Sequence, residues 1–216
     1  HSLVEGDSVS ETPALLPPQQ TLGREVLLER PMSDKAMLGT SNYPRKENEL
    51  YLTPDWCTEV LLRHVVFDAL TWEPAAADGA MANILFKRTP TIATDLEPLD
   101  RQVKKHDFLT SPGPLREKFK NIVTNPPYKL AQKFIEQAID IIAPQKGKVA
   151  MLLRNEYDSA AGRQHLFSGC PGFNLKLVLT RRPKWAPGKG NSPRHNFSWF
   201  VWDFNAAGPP TLIWDQ

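Results

Sequence analysis

Val149 to Leu153 is an unbroken apolar run following Lys148, and it restricts the fold more than any other stretch of the chain. A strand with one wet face alternates apolar and polar residues. One that is apolar at every position is covered on both faces. Such a strand belongs to a sheet with helices on either side, so helical segments should separate the strands. From Tyr51 onward they do. Thr53 and Pro54 open a helix, the proline placed at N1 where its missing N–H costs nothing, and Cys57, Val60, Leu61 and Val65 keep one apolar face. Strands are predicted over Leu70–Trp72, Thr91–Thr94 and Asn121–Thr124, with a weak one before Asp107. Helices are predicted across Met81–Lys87 and Lys129–Ala143, and another over Ser159–Phe167 capped by Asp158 or Ser159. Two successive strands, Leu175–Leu179 and Phe197–Trp202, end the series. Alternating units closed by a strand pair predict an α/β fold with an antiparallel strand near the C-terminus.

At 216 residues and 41% hydrophobic content, the chain fills one domain rather than two. Residues 46–216 are expected to form it. Residues 1–45 read as an arm, rich in Pro, Ser, Thr and Gln over Val9–Gln20 and polar over Ser33–Asn48. That arm is either a disordered terminus without function or a segment that orders on binding. A net charge of +2 is too small to imply a polyanionic partner by itself. No apolar run is long enough to span a bilayer, so no membrane partner is expected. Cys57 and Cys170 lack a Cys or His neighbour at zinc-ligand spacing. They read as free thiols in a reducing, cytoplasmic setting, with no metal site.

Chemistry enters at Asn125-Pro126-Pro127-Tyr128, between a strand and the clearest helix. By average residue usage this tetrapeptide arises by chance in roughly one chain in a thousand of this length. A proline-rich turn accounts for the prolines but not for the flanking asparagine and tyrosine. Strand carboxyl ends are also where open α/β sheets bind ligands. An exocyclic purine amine is a poor nucleophile because its lone pair is delocalised into the ring. Two acceptors holding both N–H hydrogens localise that pair and aim it at an electrophilic methyl group. The Asn125 side-chain oxygen and the Pro126 carbonyl can supply them. Pro126 and Pro127 stiffen the loop, and Tyr128 offers a face for stacking a base.

These four residues resemble the signature of amino-methyltransferases with the Rossmann-like class I fold, above all the DNA adenine-N6 enzymes of small phage or mobile-element type. The resemblance covers roughly Tyr51 to Asp203. It implies a mostly parallel seven-stranded sheet, S-adenosylmethionine as cofactor, base flipping, and transfer of methyl to adenine N6 in DNA. Asn125 and Pro126 would bind the amine and Tyr128 would stack on the flipped base. The cofactor loop is then Glu73 to Gly79, including Ala75 and Asp78, with Ala77 standing where the family has a glycine. Alanine there restricts the backbone to φ below zero or crowds the cofactor, although no other replacement obstructs less. Asp95 suits the ribose hydroxyls, better than Glu97, which lies further past the strand. Asp107 would read the cofactor's adenine amine, and Phe108 would cover its ring. Tyr51, Thr53 and Pro54 match the segment that packs over the methionine end. Each acid taken singly could equally be a solvated turn former.

Basic residues gather at Arg181, Arg182, Lys184, Lys189 and Arg194, with Trp185 among them. They suit phosphate contacts and base stacking, or they form a solvated hairpin loop. Phe197, Trp199 and Val201 alternate, so at least one of these aromatics belongs to the core. The chain has no separate recognition domain. Target reading therefore falls to loops, to the arm, to a recognition partner or to self-association. DNA ranks ahead of RNA as the partner. Two alternatives stay open: the same chemistry on RNA or a protein glutamine amide, and a non-catalytic methyltransferase-like subunit.

Overall fold

In a computed structural model the described residues are 52–110, 113–185 and 195–215. All of them belong to a compact unit spanning Arg45–Gln216. The expected arm, Tyr51, Lys189 and Arg194 lie outside the described residues.

Eight strands make one sheet: β1 Thr71–Glu73, β2 Thr91–Asp95, β3 Lys104–Lys105, β4 Asn121–Thr124, β5 Lys148–Arg154, β6 Phe173–Val178, β7 Phe197–Asp203 and β8 Thr211–Trp214. Their order is β3-β2-β1-β4-β5-β7-β6-β8. Every pairing is parallel except those of β7, which runs antiparallel to both β5 and β6. The α/β class and the late antiparallel strand are as expected. β8 is an addition to the seven anticipated strands, pairing with β6 at the sheet edge.

Helices α1 Asp55–His64 and α2 Ala80–Phe86 cover one face, and α3 Ala131–Ile142 covers the other. The apolar run reads out directly. Ala150 and Leu152 join Cys57, Leu61 and Met81 in one core, while Val149, Met151 and Leu153 join Phe134, Ile135 and Ile142 in the second. Each large side chain buried this way contributes about 2 kcal/mol. β7 is buried along Phe197–Trp202, so Phe197 and Trp199 are both core residues. Trp199 Nε1 donates to the Cys57 carbonyl at 2.8 Å, fixing α1 to the sheet.

Three local expectations need correction. Pro54 is the N-cap of α1 rather than its first helical residue. The helix predicted over Ser159–Phe167 is instead two short 3-10 segments, Tyr157–Ser159 and Ala161–Leu166. Gly162 and the adjacent Leu166 and Phe167 give no helical spacing of apolar residues there, and glycine disfavours a helix interior. The long helix begins at Ala131, after a 3-10 turn over Tyr128–Leu130. Cys57 and Cys170 are free thiols. No helix among the described residues is long and apolar enough to cross a membrane.

Candidate active site

Parallel strands β1 to β6 all end on the same edge, and the chain's winding reverses between β1 and β4. An open α/β sheet forms its ligand crevice at such a switch point. The two loops singled out in the sequence leave from those two strands. Glu73 ends β1, and Asn125 follows directly on β4.

Asn125 is half-buried, and its side chain is held in one orientation. Its Nδ2 donates to Thr53 Oγ1 at 3.1 Å. Its Oδ1 is buried and accepts no hydrogen bond from the described residues. Thr53, just ahead of α1, is thereby brought against the loop after β4 although 72 residues separate the two. Pro126 is buried, and the Pro127 carbonyl accepts the Leu130 N–H at 2.9 Å, which winds the chain into the turn before α3. The Tyr128 ring is half-buried, 5.9 Å from that of Phe197 and tilted 35°. Part of its surface is therefore taken by the core, and its hydroxyl points inward.

Beyond β1 the backbone makes a tight turn through Ala75, Ala76, Ala77, Asp78 and Gly79 into α2. Ala77 has a φ of +47° and Gly79 one of +78°. The expectation that alanine would hold the backbone to negative φ is thus overturned. The loop keeps the left-handed conformation at a cost of about 1–2 kcal/mol for a residue with a Cβ. Three bonds hold it there. Ala77 N–H donates to Asp95 Oδ2 at 2.9 Å, Leu99 N–H to the Ala77 carbonyl at 2.9 Å, and Ala76 N–H to the Thr94 carbonyl at 3.0 Å. Asp95 also accepts the Glu97 N–H through Oδ1 at 2.8 Å, so this carboxylate spans the β1 and β2 loops. Asp78 Oδ1 accepts the Ala80 N–H at 3.1 Å, at the start of α2. Glu73 is 2% exposed and its Oε2 has no partner. Burial pushes its carboxyl well above the ordinary range against the opposing pull of the Ala82 amide, and Asp78 and Asp95 push the same way.

Asp107 is half-buried and accepts the Leu109 N–H at 2.9 Å. Phe108 departs from expectation. It is 2% exposed and packs against Trp72 at 5.1 Å and Phe134 at 4.8 Å. A ring enclosed this way belongs to the core and has no open face for a ligand, because the apolar side chain gains more by turning inward.

On the far side of β4 the edge turns basic. Arg181, Arg182 and Lys184 are exposed after β6. The Arg181 guanidinium lies 4.9 Å from the Trp56 ring, and Arg182 Nε donates to Asn196 Oδ1 at 2.8 Å. Trp185 is half-buried with its edge against Phe197 at 4.8 Å. Sequence reasoning missed Arg154, the last residue of β5, whose guanidinium lies 5.8 Å from the Tyr128 ring. It also missed Trp56. Both lie at element ends, where no periodicity marks a residue.

No protein-family model and no curated protein matches the sequence. Solved structures do match. A Pyrococcus horikoshii protein described provisionally as an RNA methyltransferase has a TM-score of 0.53 and 13% identity, over 75% of this chain and 90% of that one. A Listeria monocytogenes protein described provisionally as a class I S-adenosylmethionine-dependent methyltransferase has a TM-score of 0.50 and 11% identity, over 74% of this chain and 61% of its own length. This chain therefore spans about three fifths of the Listeria protein. Likeness at such identity is likeness of fold, and the fold is the Rossmann-like one of class I methyltransferases.

Proposed function

On that fold, we propose that the chain transfers a methyl group from S-adenosylmethionine to an exocyclic amine, with N6 of adenine in DNA as the target. One observation carries the reading. The Asn125 Oδ1 is a buried acceptor without a partner at the end of β4, beside the switch point of the sheet. A buried acceptor left unsatisfied costs about 1–3 kcal/mol, and an incoming N–H repays it. Because Thr53 takes the amide nitrogen, Asn125 meets the substrate as an acceptor.

The residues present suit the cofactor. Ala77 reproduces the glycine-like turn, and Asp95, which ends β2, and Asp107, which follows β3, are the acceptors for ribose hydroxyls and an adenine amine. The cofactor supplies an electrophilic methyl on a positively charged sulfur. The protein's part is to hold the amine. Asn125 Oδ1 and the Pro126 carbonyl accept its two hydrogens, the nitrogen lone pair is freed from the ring, and the half-buried Tyr128 ring holds the base. The alkylated amine is acidic enough to release its proton to water, so no strong base is required. Phe108 supports Trp72 from within the core, leaving the cofactor's adenine to Asp107.

A protein glutamine amide would fit the same clamp. Arg181 over Trp56, and Arg154 beside Tyr128, favour a nucleic-acid strand, because paired cations and rings match phosphates and bases. The test is transfer of labelled methyl from S-adenosylmethionine to DNA, RNA and protein, followed by nucleoside and amino-acid analysis. N6-methyladenine in DNA is expected. Label confined to RNA or protein would overturn the substrate. No label, with no cofactor binding by calorimetry, would overturn the enzyme reading.

A further inference from the structure

Acids predominate along one half of the catalytic edge, although β3 itself is Lys104–Lys105, and cations predominate along the other. Glu73, Asp78, Asp95 and Asp107 stand at or after the ends of β1, β2 and β3, whereas Arg154 ends β5 and Arg181, Arg182 and Lys184 follow β6. Of the acids on the basic half, Glu156 is exposed, Asp158 is occupied by Lys176 Nζ at 2.8 Å, and Asp215, just past β8, is occupied by Arg63 at 2.6 Å.

Arg154 differs from the other cations of this half. It is half-buried and stands opposite Phe197 in the β5–β7 register. Alternation along β5 puts it on the same face as Ala150 and Leu152, the face against which Tyr128 and Phe197 pack. No salt bridge among the described residues involves it. Its Nε is buried without a hydrogen-bond partner. A partly buried cation with no counter-charge is poor architecture for stability alone. A planar guanidinium is, however, well matched to the paired oxygens of a phosphodiester. Its neighbour 5.8 Å away is the ring assigned to the target base. One nucleotide can therefore meet both groups, its base on Tyr128 and its phosphate on the guanidinium.

We propose that Arg154 binds a phosphodiester of the target strand and so makes the amine clamp selective for nucleic acid over free amides. This rests on the methyl-transfer reading above. The test measures binding of a short adenine-containing single strand, as DNA and as RNA of the same sequence, by fluorescence anisotropy over a potassium chloride series. It uses the full chain, Arg154→Met and Arg154→Lys, with cofactor affinity read on the same samples.

For the wild type, log affinity should fall linearly with log salt. Arg154→Met should reduce that slope by about one and weaken binding about tenfold, with cofactor affinity kept. Arg154→Lys should keep the slope and lose affinity severalfold, since a point charge lacks the fork. The strand type whose slope changes identifies the source of the phosphate. An unchanged slope in Arg154→Met, with wild-type binding intact, overturns the Arg154 contact and leaves the methyl-transfer reading standing. Absence of salt-dependent binding by the wild type overturns the nucleic-acid substrate and this proposal together. Should Arg154→Met fail to fold, Arg154→Lys decides, and wild-type affinity in that variant overturns the proposal.

Discussion

Thr53 and Asn125 are joined by a single hydrogen bond, which holds the amide nitrogen and leaves Oδ1 as the buried acceptor. Removing the hydroxyl while keeping the shape should let that amide turn. Thr53→Val is expected to lower the rate of methyl transfer by about tenfold to a hundredfold with cofactor affinity little changed, and Thr53→Ser should recover most of it. Asn125→Ala should lose turnover by more than either. Equal rates for the valine and serine variants would show that the hydroxyl does not orient the amide. Asn125 stands out in the sequence because four unusual residues stand together. Its hydrogen bond to Thr53 does not, since only the folded chain brings the two side chains together. Phe108 is the opposite case. The sequence singled it out beside Asp107, but an aromatic beside a charged residue does not announce which of them turns inward, and Phe108 does.

Elements with long apolar or fully buried runs were readable. β4, β5 and β7 fall within a residue or so of expectation because their apolar runs are long or fully buried. β8 was not, since Thr211–Trp214 is a four-residue edge strand with Leu212 and Trp214 exposed, a pattern no different from a loop. The turn between β1 and α2 shows how an element can overrule a residue's preference. Ala77 is driven to φ +47° by hydrogen bonds on its N–H and its carbonyl. Ala77→Gly should therefore raise stability by up to about 1 kcal/mol in urea unfolding, the relief of left-handed strain being partly offset by glycine's greater freedom in the unfolded chain. A clear loss of stability would mean that the alanine methyl packs better than its backbone suggests.

For the molecule as a whole, the buried Glu73 carboxyl links stability to pH. Its pKa is raised on folding, from an ordinary value of 4.5, by burial above all. Between that value and the folded one, the native state binds more protons than the unfolded state. Stability from this group is therefore full at lower pH and falls as pH rises through the window. Glu73→Gln, neutral throughout, should lose less stability than the wild type as pH rises above 4.5, as read from paired melting curves. Identical pH dependence in the two proteins would show that the carboxyl ionises in place, satisfied by the α2 amides.

The antiparallel course of β7 has a consequence of another kind. Because β6 ends and β7 begins on the edge that carries Asn125, the connection between Val178 and Phe197 leaves and re-enters the sheet on that edge. Extending such a connection costs little, as closure entropy grows only with the logarithm of length. The scaffold thus separates two kinds of heritable change. Substitutions within β4, β5 and β7 are felt by the core at once. Insertions between β6 and β7 leave that core untouched, so under the proposed function this connection is where target recognition can change while the chemistry stays as it was.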